Sequence, residues 1–71
     1  MNLTEYTLNK PGVIKEILEN AVSIKLFEFG ILPGASFFIV NKASFNGPIF
    51  IQVGASRIAL RKEEALAILV E

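Results

Sequence analysis

From Phe37 to Val53 the apolar residues alternate with a period of two, the signature of strands with one buried face. Phe37 and Ile39 fall on one face of a predicted strand, Phe38 and Val40 on the other. Asn46-Gly47 is a hairpin signal. Beyond it Ile49, Ile51 and Val53 alternate with Phe50 and Gln52, and Gly54-Ala55 makes a second tight turn. In the next strand Ile58 and Leu60 point one way, Arg57, Ala59 and Arg61 the other. Lys62–Leu66 reads as one helical turn, with Glu63 and Glu64 at its start where the helix dipole favours acids. Ile68-Leu69-Val70 forms a last strand. Upstream the pattern is less decided. Asn2-x-x-Glu5 has the form of a capping box before a single turn. Ile14, Ile17, Leu18 and Ala21 fall at helical spacing, so one long helix over 13–29 is open. Against it, Glu19-Asn20 is a soft break, and Val13-Ile14 and Ile17-Leu18 also suit a strand. The preferred reading is a strand near 13–18, then a helix near 22–29 ended by Gly30. Pro33-Gly34 suits a type II turn, with Pro at i+1 and Gly at i+2.

About five short strands, one short α-helix after the first and a helical turn before the last make a mainly β fold. The spacing of the turns points to a small barrel, whose closure would remove the exposed edge strands. The 71 residues suffice for one domain, over 1–71. A chain this short buries only about 60% of its unfolded surface, so its core must be rich in apolar groups. It is: 52% of residues are hydrophobic, six of them Phe. If Phe37, Ile39, Ile49, Ile51 and Val53 fill the core, Phe38 and Phe50 lie outward on adjacent strands. They are then either covered by a terminal segment or exposed as an aromatic pair that marks a protein contact. Phe45, in the hairpin loop, is a third candidate of this kind.

Charge and reactive-group content narrow the function classes. There is no Cys and no His, which removes disulfides, the usual zinc ligands, thiol nucleophiles and imidazole bases. No carboxylate pair stands out in an apolar context: Glu63 and Glu64 read as a helix start, Glu16 and Glu19 as a solvated face. Gly30-x-x-x-Gly34 lacks the Lys-Ser/Thr of a phosphate loop. An iron site of scattered carboxylates would be weak and unselective. No cofactor, metal site or catalysis is expected. Seven basic and seven acidic residues cancel, which disfavours a nucleic-acid binder. Met1 leads straight into Asn2-Leu3-Thr4-Glu5 without the pattern of a secretory signal, and no apolar run approaches a spanning length; a cytoplasmic location is expected. Arg57 and Arg61 share a strand face with Lys62 next in sequence. They form either a solvated face beside Glu63 and Glu64 or a basic rim for an acidic partner or lipid headgroups.

Three segments carry a family resemblance. Leu26-Phe27-Glu28-Phe29-Gly30-Ile31-Leu32-Pro33-Gly34 resembles a Leu-Leu-Asp-Leu-Gly-Leu-x-Pro-Gly signature. Gly47-Pro48-Ile49 and Arg57-Ile58-Ala59-Leu60-Arg61-Lys62-Glu63-Glu64-Ala65 resemble its downstream Gly-Pro and Ile-Ala-Leu-Arg-x-x-Glu-Ala segments. The pattern, in register from about residue 26 to the C-terminus, is that of the ferrous iron transport protein A (FeoA) family. The resemblance implies an SH3-like barrel and a non-catalytic accessory role in bacterial ferrous iron uptake. It also implies, as partner, the cytosolic GTP-binding domain of a FeoB-type membrane transporter, placing the protein at the inner face of the membrane. Many members carry several arginines at the start of the helix where this chain has only Lys25, which joins Phe38, Phe45, Phe50, Arg57, Arg61 and Lys62 as a partner-binding candidate. The alternatives are a nucleic-acid-binding barrel that stacks bases on Phe38 and Phe50, and a regulatory module that associates weakly with itself.

Overall fold

The computed structural model describes residues 1–18 and 23–71. Its elements follow the alternating pattern closely. A 3-10 turn (Leu3–Glu5) precedes β1 (Gly12–Ile17), α1 (Ser23–Glu28), β2 (Ser36–Lys42), β3 (Ile49–Val53), β4 (Ser56–Leu60), α2 (Lys62–Leu66) and β5 (Ile68–Val70). Residues 13–17 are therefore a strand and not the start of a long helix; the Glu19-Asn20 break, Ala21 and residue 22 lie outside the described residues.

Local chemistry accounts for the punctuation. Asn2 Oδ1 accepts from the Thr4 backbone N–H at 2.9 Å, and Glu5 Oε1 reciprocates by accepting from the Asn2 N–H at 2.9 Å. At the end of α1, Ile31 N–H donates to Leu26 C=O and Gly30 N–H to Phe27 C=O, with Gly30 at φ +83°. This is the Schellman pattern, which needs a residue that tolerates positive φ just past the helix. Pro33-Gly34 follows as a type II turn, closed by Ala35 N–H to Leu32 C=O at 3.0 Å, with Gly34 at φ +90°.

The β2–β3 hairpin turns one residue earlier than Asn46-Gly47 suggests. Gly47 N–H donates to Ser44 C=O at 3.1 Å, so Phe45 and Asn46 occupy the two corners, at φ +56° and +61°. Pro48 has no N–H to offer the ladder, and pairing resumes only through Ala43 N–H to Pro48 C=O at 3.0 Å. Gly47 is required for closeness: a Cβ there would stand 2.7 Å from the Ala43 Cβ. Phe45, bulky and in the left-handed region, carries strain of about 1 kcal/mol or more.

The strands form one antiparallel sheet in the order β4-β3-β2-β1-β5. Val40 bulges from β2, between the Ile39↔Ile51 and Asn41↔Phe50 pairs. β1 divides its partners: Gly12 and Val13 pair with β2, Ile14 to Ile17 with β5. The expected closure does not occur. Among the described residues β4 pairs only with β3, and the only strand that β5 pairs with is β1. The reason is that the other edge of β5 is taken by the N-terminal segment, through the Asn2↔Leu69 bridge and Val70 N–H to Met1 C=O at 2.9 Å, while α2 carries the chain from the end of β4 to the start of β5. The result is a curled, open, five-stranded sheet rather than a hydrogen-bonded barrel.

Inside the curl, Phe37, Ile39, Ile49, Ile51, Ile58 and Leu60 are buried as the alternation requires. Val53 is only partly buried, at the margin of the core. Leu3 comes from the N-terminal segment, and Leu26 and Ile31 from α1 and the loop after it. Tyr6 packs on Phe37 with ring centroids 5.2 Å apart and donates its hydroxyl proton to Pro11 C=O at 2.7 Å. Lys42 secures the same segment, its ammonium donating to Thr4 C=O (3.0 Å) and Tyr6 C=O (2.6 Å).

Candidate functional site

The convex face of β4-β3-β2 is laid out by register. Arg57 stands opposite Gln52, which stands opposite Phe38; in the next row Ala59 stands opposite Phe50, which stands opposite Asn41. Phe38 and Phe50 thus share the outer face but sit diagonally, in rows separated by the Val40 bulge. Neither is covered: Phe38 is 36% and Phe50 38% exposed. Because Ala59 is small, a shallow apolar groove opens beside Phe50, bordered by Val40, Asn41 and Arg57. Arg57 Nε donates to Gln52 Oε1 at 2.9 Å, and Gln52 Nε2 in turn to Gly54 C=O at 2.9 Å. These bonds tie Arg57 to β3 at the edge of the groove.

Arg61 and Lys62 do not join this group. Arg61 is not on a strand: it is the residue that caps α2. Lys62 follows it and its ammonium reaches Asn46 Oδ1 at 3.4 Å, beside the β2–β3 hairpin. Phe45, at the tip of that hairpin, is fully exposed. Lys25, on α1, donates from its ammonium to Glu64 Oε2 at 3.1 Å and stands 6.0 Å from the Phe29 ring centroid, and it lines a cleft whose other wall is Arg57 and Ala59 of β4. Two groups therefore replace one continuous rim: Phe38, Phe50 and Arg57 on the sheet, with Lys25 across a cleft from Arg57; and Phe45, Arg61 and Lys62 around the hairpin.

Two features escaped the sequence reading. Glu64 stands in the first turn of α2 as expected, but it is 3% exposed. Burial pushes its carboxyl up, but the Arg61 backbone N–H (2.7 Å from Oε1) and the Lys25 ammonium outweigh this and hold it below the ordinary glutamate value. Its role is to tie α1 to the start of α2. The second feature is the outer side of α1, where Ile24 is 70% exposed and Phe27 half-exposed while Leu26 alone is fully buried. Their i, i+3 spacing puts Ile24 and Phe27 on one helix face, a signal available once the helix is bounded at Ser23–Glu28.

The comparisons with known proteins bear on this arrangement. A search of curated proteins returns no match. The FeoA domain family matches residues 1–71. The chain belongs to the FeoA family. Iron(II) transport protein A from Clostridium thermocellum is 35% identical over the whole chain, with a TM-score of 0.90; the chain spans 44% of that protein. A crystal structure of the iron uptake regulatory protein FeoA is 31% identical, with a TM-score of 0.87, and 93% of it is covered. FeoA of Stenotrophomonas maltophilia, a prokaryotic SH3-domain protein solved with zinc, is 30% identical over the whole chain, with 89% of it covered and a TM-score of 0.88. The fold is thus SH3-like, and the family is associated with ferrous iron transport. The sequence lacks Cys and His, and among the described residues no three carboxylates gather. Among the described residues, too, no helix is long and apolar enough to cross a membrane.

Proposed function

We propose that this FeoA-family protein is a non-catalytic accessory of bacterial ferrous iron uptake that acts in the cytoplasm by docking on the cytosolic part of a FeoB-type transporter. The observation that carries the reading is the FeoA match over residues 1–71. The site chemistry supports a contact surface rather than a reaction centre. Half-exposed aromatic rings beside a guanidinium are groups enriched at the centres of protein interfaces. Phe38, Phe50 and Arg57 supply them on a rigid sheet, which keeps the ordering cost of association low. In this reading iron is the cargo of the transporter and does not bind to the accessory.

Titration calorimetry of this protein against the soluble GTP-binding domain of the cognate transporter, with GDP and with a GTP analogue, tests the proposal. Saturable binding is expected in at least one nucleotide state. It should weaken about tenfold or more in a Phe38→Ala/Phe50→Ala double variant that stays folded. No heat and no complex in either state would refute the docking proposal.

A further inference from the structure

The Phe45 hairpin is built against the interests of the fold. A bulky residue at φ +56° is a backbone outlier. Gly or Asn would take that corner without strain, and Asn-Gly follows immediately in the chain. Strain of this kind is ordinarily offset by burial, yet the ring is 101% exposed and contributes nothing to the core. The loop beneath it is nonetheless firmly held. Gly47 N–H and Ala43 N–H close the turn, and Gly47 packs its backbone against Ala43. Lys62 braces Asn46 from α2. A rigid turn that presents one unsupported aromatic ring has the form of an interface anchor, whose value lies in being ordered before the partner arrives.

The surroundings indicate what the anchor meets. Lys42, Arg61 and Lys62 border the base of the hairpin, against the single acid Glu63. The Lys42 ammonium is engaged by backbone carbonyls, whereas Arg61 and Lys62 are exposed, the Lys62 ammonium held only by a long 3.4 Å contact to Asn46. We infer that Phe45 inserts into an apolar pocket rimmed by carboxylates on a protein partner, with Arg61 and Lys62 pairing to that rim. A membrane is the poorer occupant: even a whole myristoyl chain anchors only marginally, and one phenyl ring offers far less apolar surface. The inference rests on the docking reading above and places a second contact, remote from Phe38 and Phe50, on the same partner.

The test uses Phe45→Asn, since Asn accepts the left-handed corner, and Lys62→Glu. The probes are the soluble GTP-binding domain of the cognate transporter and vesicles of phosphatidylcholine and phosphatidylserine in equal parts. Phe45→Asn should bind the domain at least about tenfold more weakly, equivalent to about 1.4 kcal/mol, while its Tm rises by about 4–8 °C as the strain is relieved. Lys62→Glu should bind more weakly still at low salt. Wild-type affinity in Phe45→Asn would overturn the anchor and leave the docking reading intact. A lowered Tm would also overturn it, because Phe45 would then be serving the fold. Absence of wild-type binding to the domain would refute both. Vesicle binding that depends on Phe45, without binding to the domain, would replace the protein pocket with a lipid surface.

Discussion

Glu64 shows how one side chain joins elements that are distant in sequence. Its two carboxylate oxygens divide the work: Oε1 accepts from the Arg61 N–H that opens α2, and Oε2 from Lys25 on α1. A buried carboxylate is tolerated only when its acceptor sites are filled. Because the folded state holds this group below its ordinary value, its stabilising contribution is present above about pH 4.3, the unfolded value, and is lost as pH falls through the lower folded value. Glu64→Gln should therefore cost stability near neutral pH and progressively less as pH falls below about 4. Urea-unfolding midpoints of the two proteins, measured from pH 6 down to pH 3, should converge. A constant gap across that range would mean that the loss is one of packing and not of charge. Lys25, the other half of this pair, keeps 54% of its side chain exposed while it makes the bond.

At the scale of the element, the decisive facts are alternation and its interruptions. β2 directs Phe37 into the core, 2% exposed, and Phe38 outward. Phe37→Ala should cost about 3–5 kcal/mol, as for other buried aromatic truncations, enough to unfold much of a domain this size. Phe38→Ala should fall near about 0.5 kcal/mol, the range of surface substitutions. Thermal unfolding followed by circular dichroism separates the two; equal, large losses would place Phe38 in the core and remove it from the docking surface. Phe38 pairs with Gln52, which leaves Phe50 diagonal to it two residues along β3, and the Val40 bulge sets Asn41 rather than Val40 opposite Phe50. The β2–β3 turn is the other interruption. Pro48 cannot donate and Gly47 must approach Ala43, so the left-handed corners move back onto Phe45 and Asn46.

For the molecule as a whole, the open sheet has a measurable consequence. Val53 and Ser56 flank the two-residue Gly54-Ala55 turn, so by antiparallel alternation Ile58 and Leu60 bond to β3 while Arg57 and Ala59 direct their amides to the free edge. Hydrogen exchange should be fast at Arg57 and Ala59 and slow at Ile58 and Ile51. Equal protection at all four would show β4 paired on both sides, as in a closed barrel or a strand-to-strand dimer. Among the described residues that edge is open, and an open edge is a liability for aggregation.

The strands from Phe37 to Leu60 were legible in the sequence because a half-buried strand imposes a two-residue period that nothing else imitates. The turns at Gly30 and Gly34 were legible because positive φ selects glycine. Residues 13–17 were legible only in part: a short apolar run next to the Glu19-Asn20 break satisfies both helix and strand periods, and pairing with β2 and β5 settles it. The candidate residues Phe38, Phe50 and Arg57 could be assigned to an outer face by parity alone. Their neighbours could not, since a one-residue bulge at Val40 leaves no mark in composition. Nor could the burial of Glu64, or the separation of Lys25, Arg61 and Lys62 into different clusters, because those depend on where α1 and α2 meet. Periodicity is a local property written along the chain, whereas closure, register and the meeting of distant charges are decided by which surfaces pack together, and only the folded structure contains that.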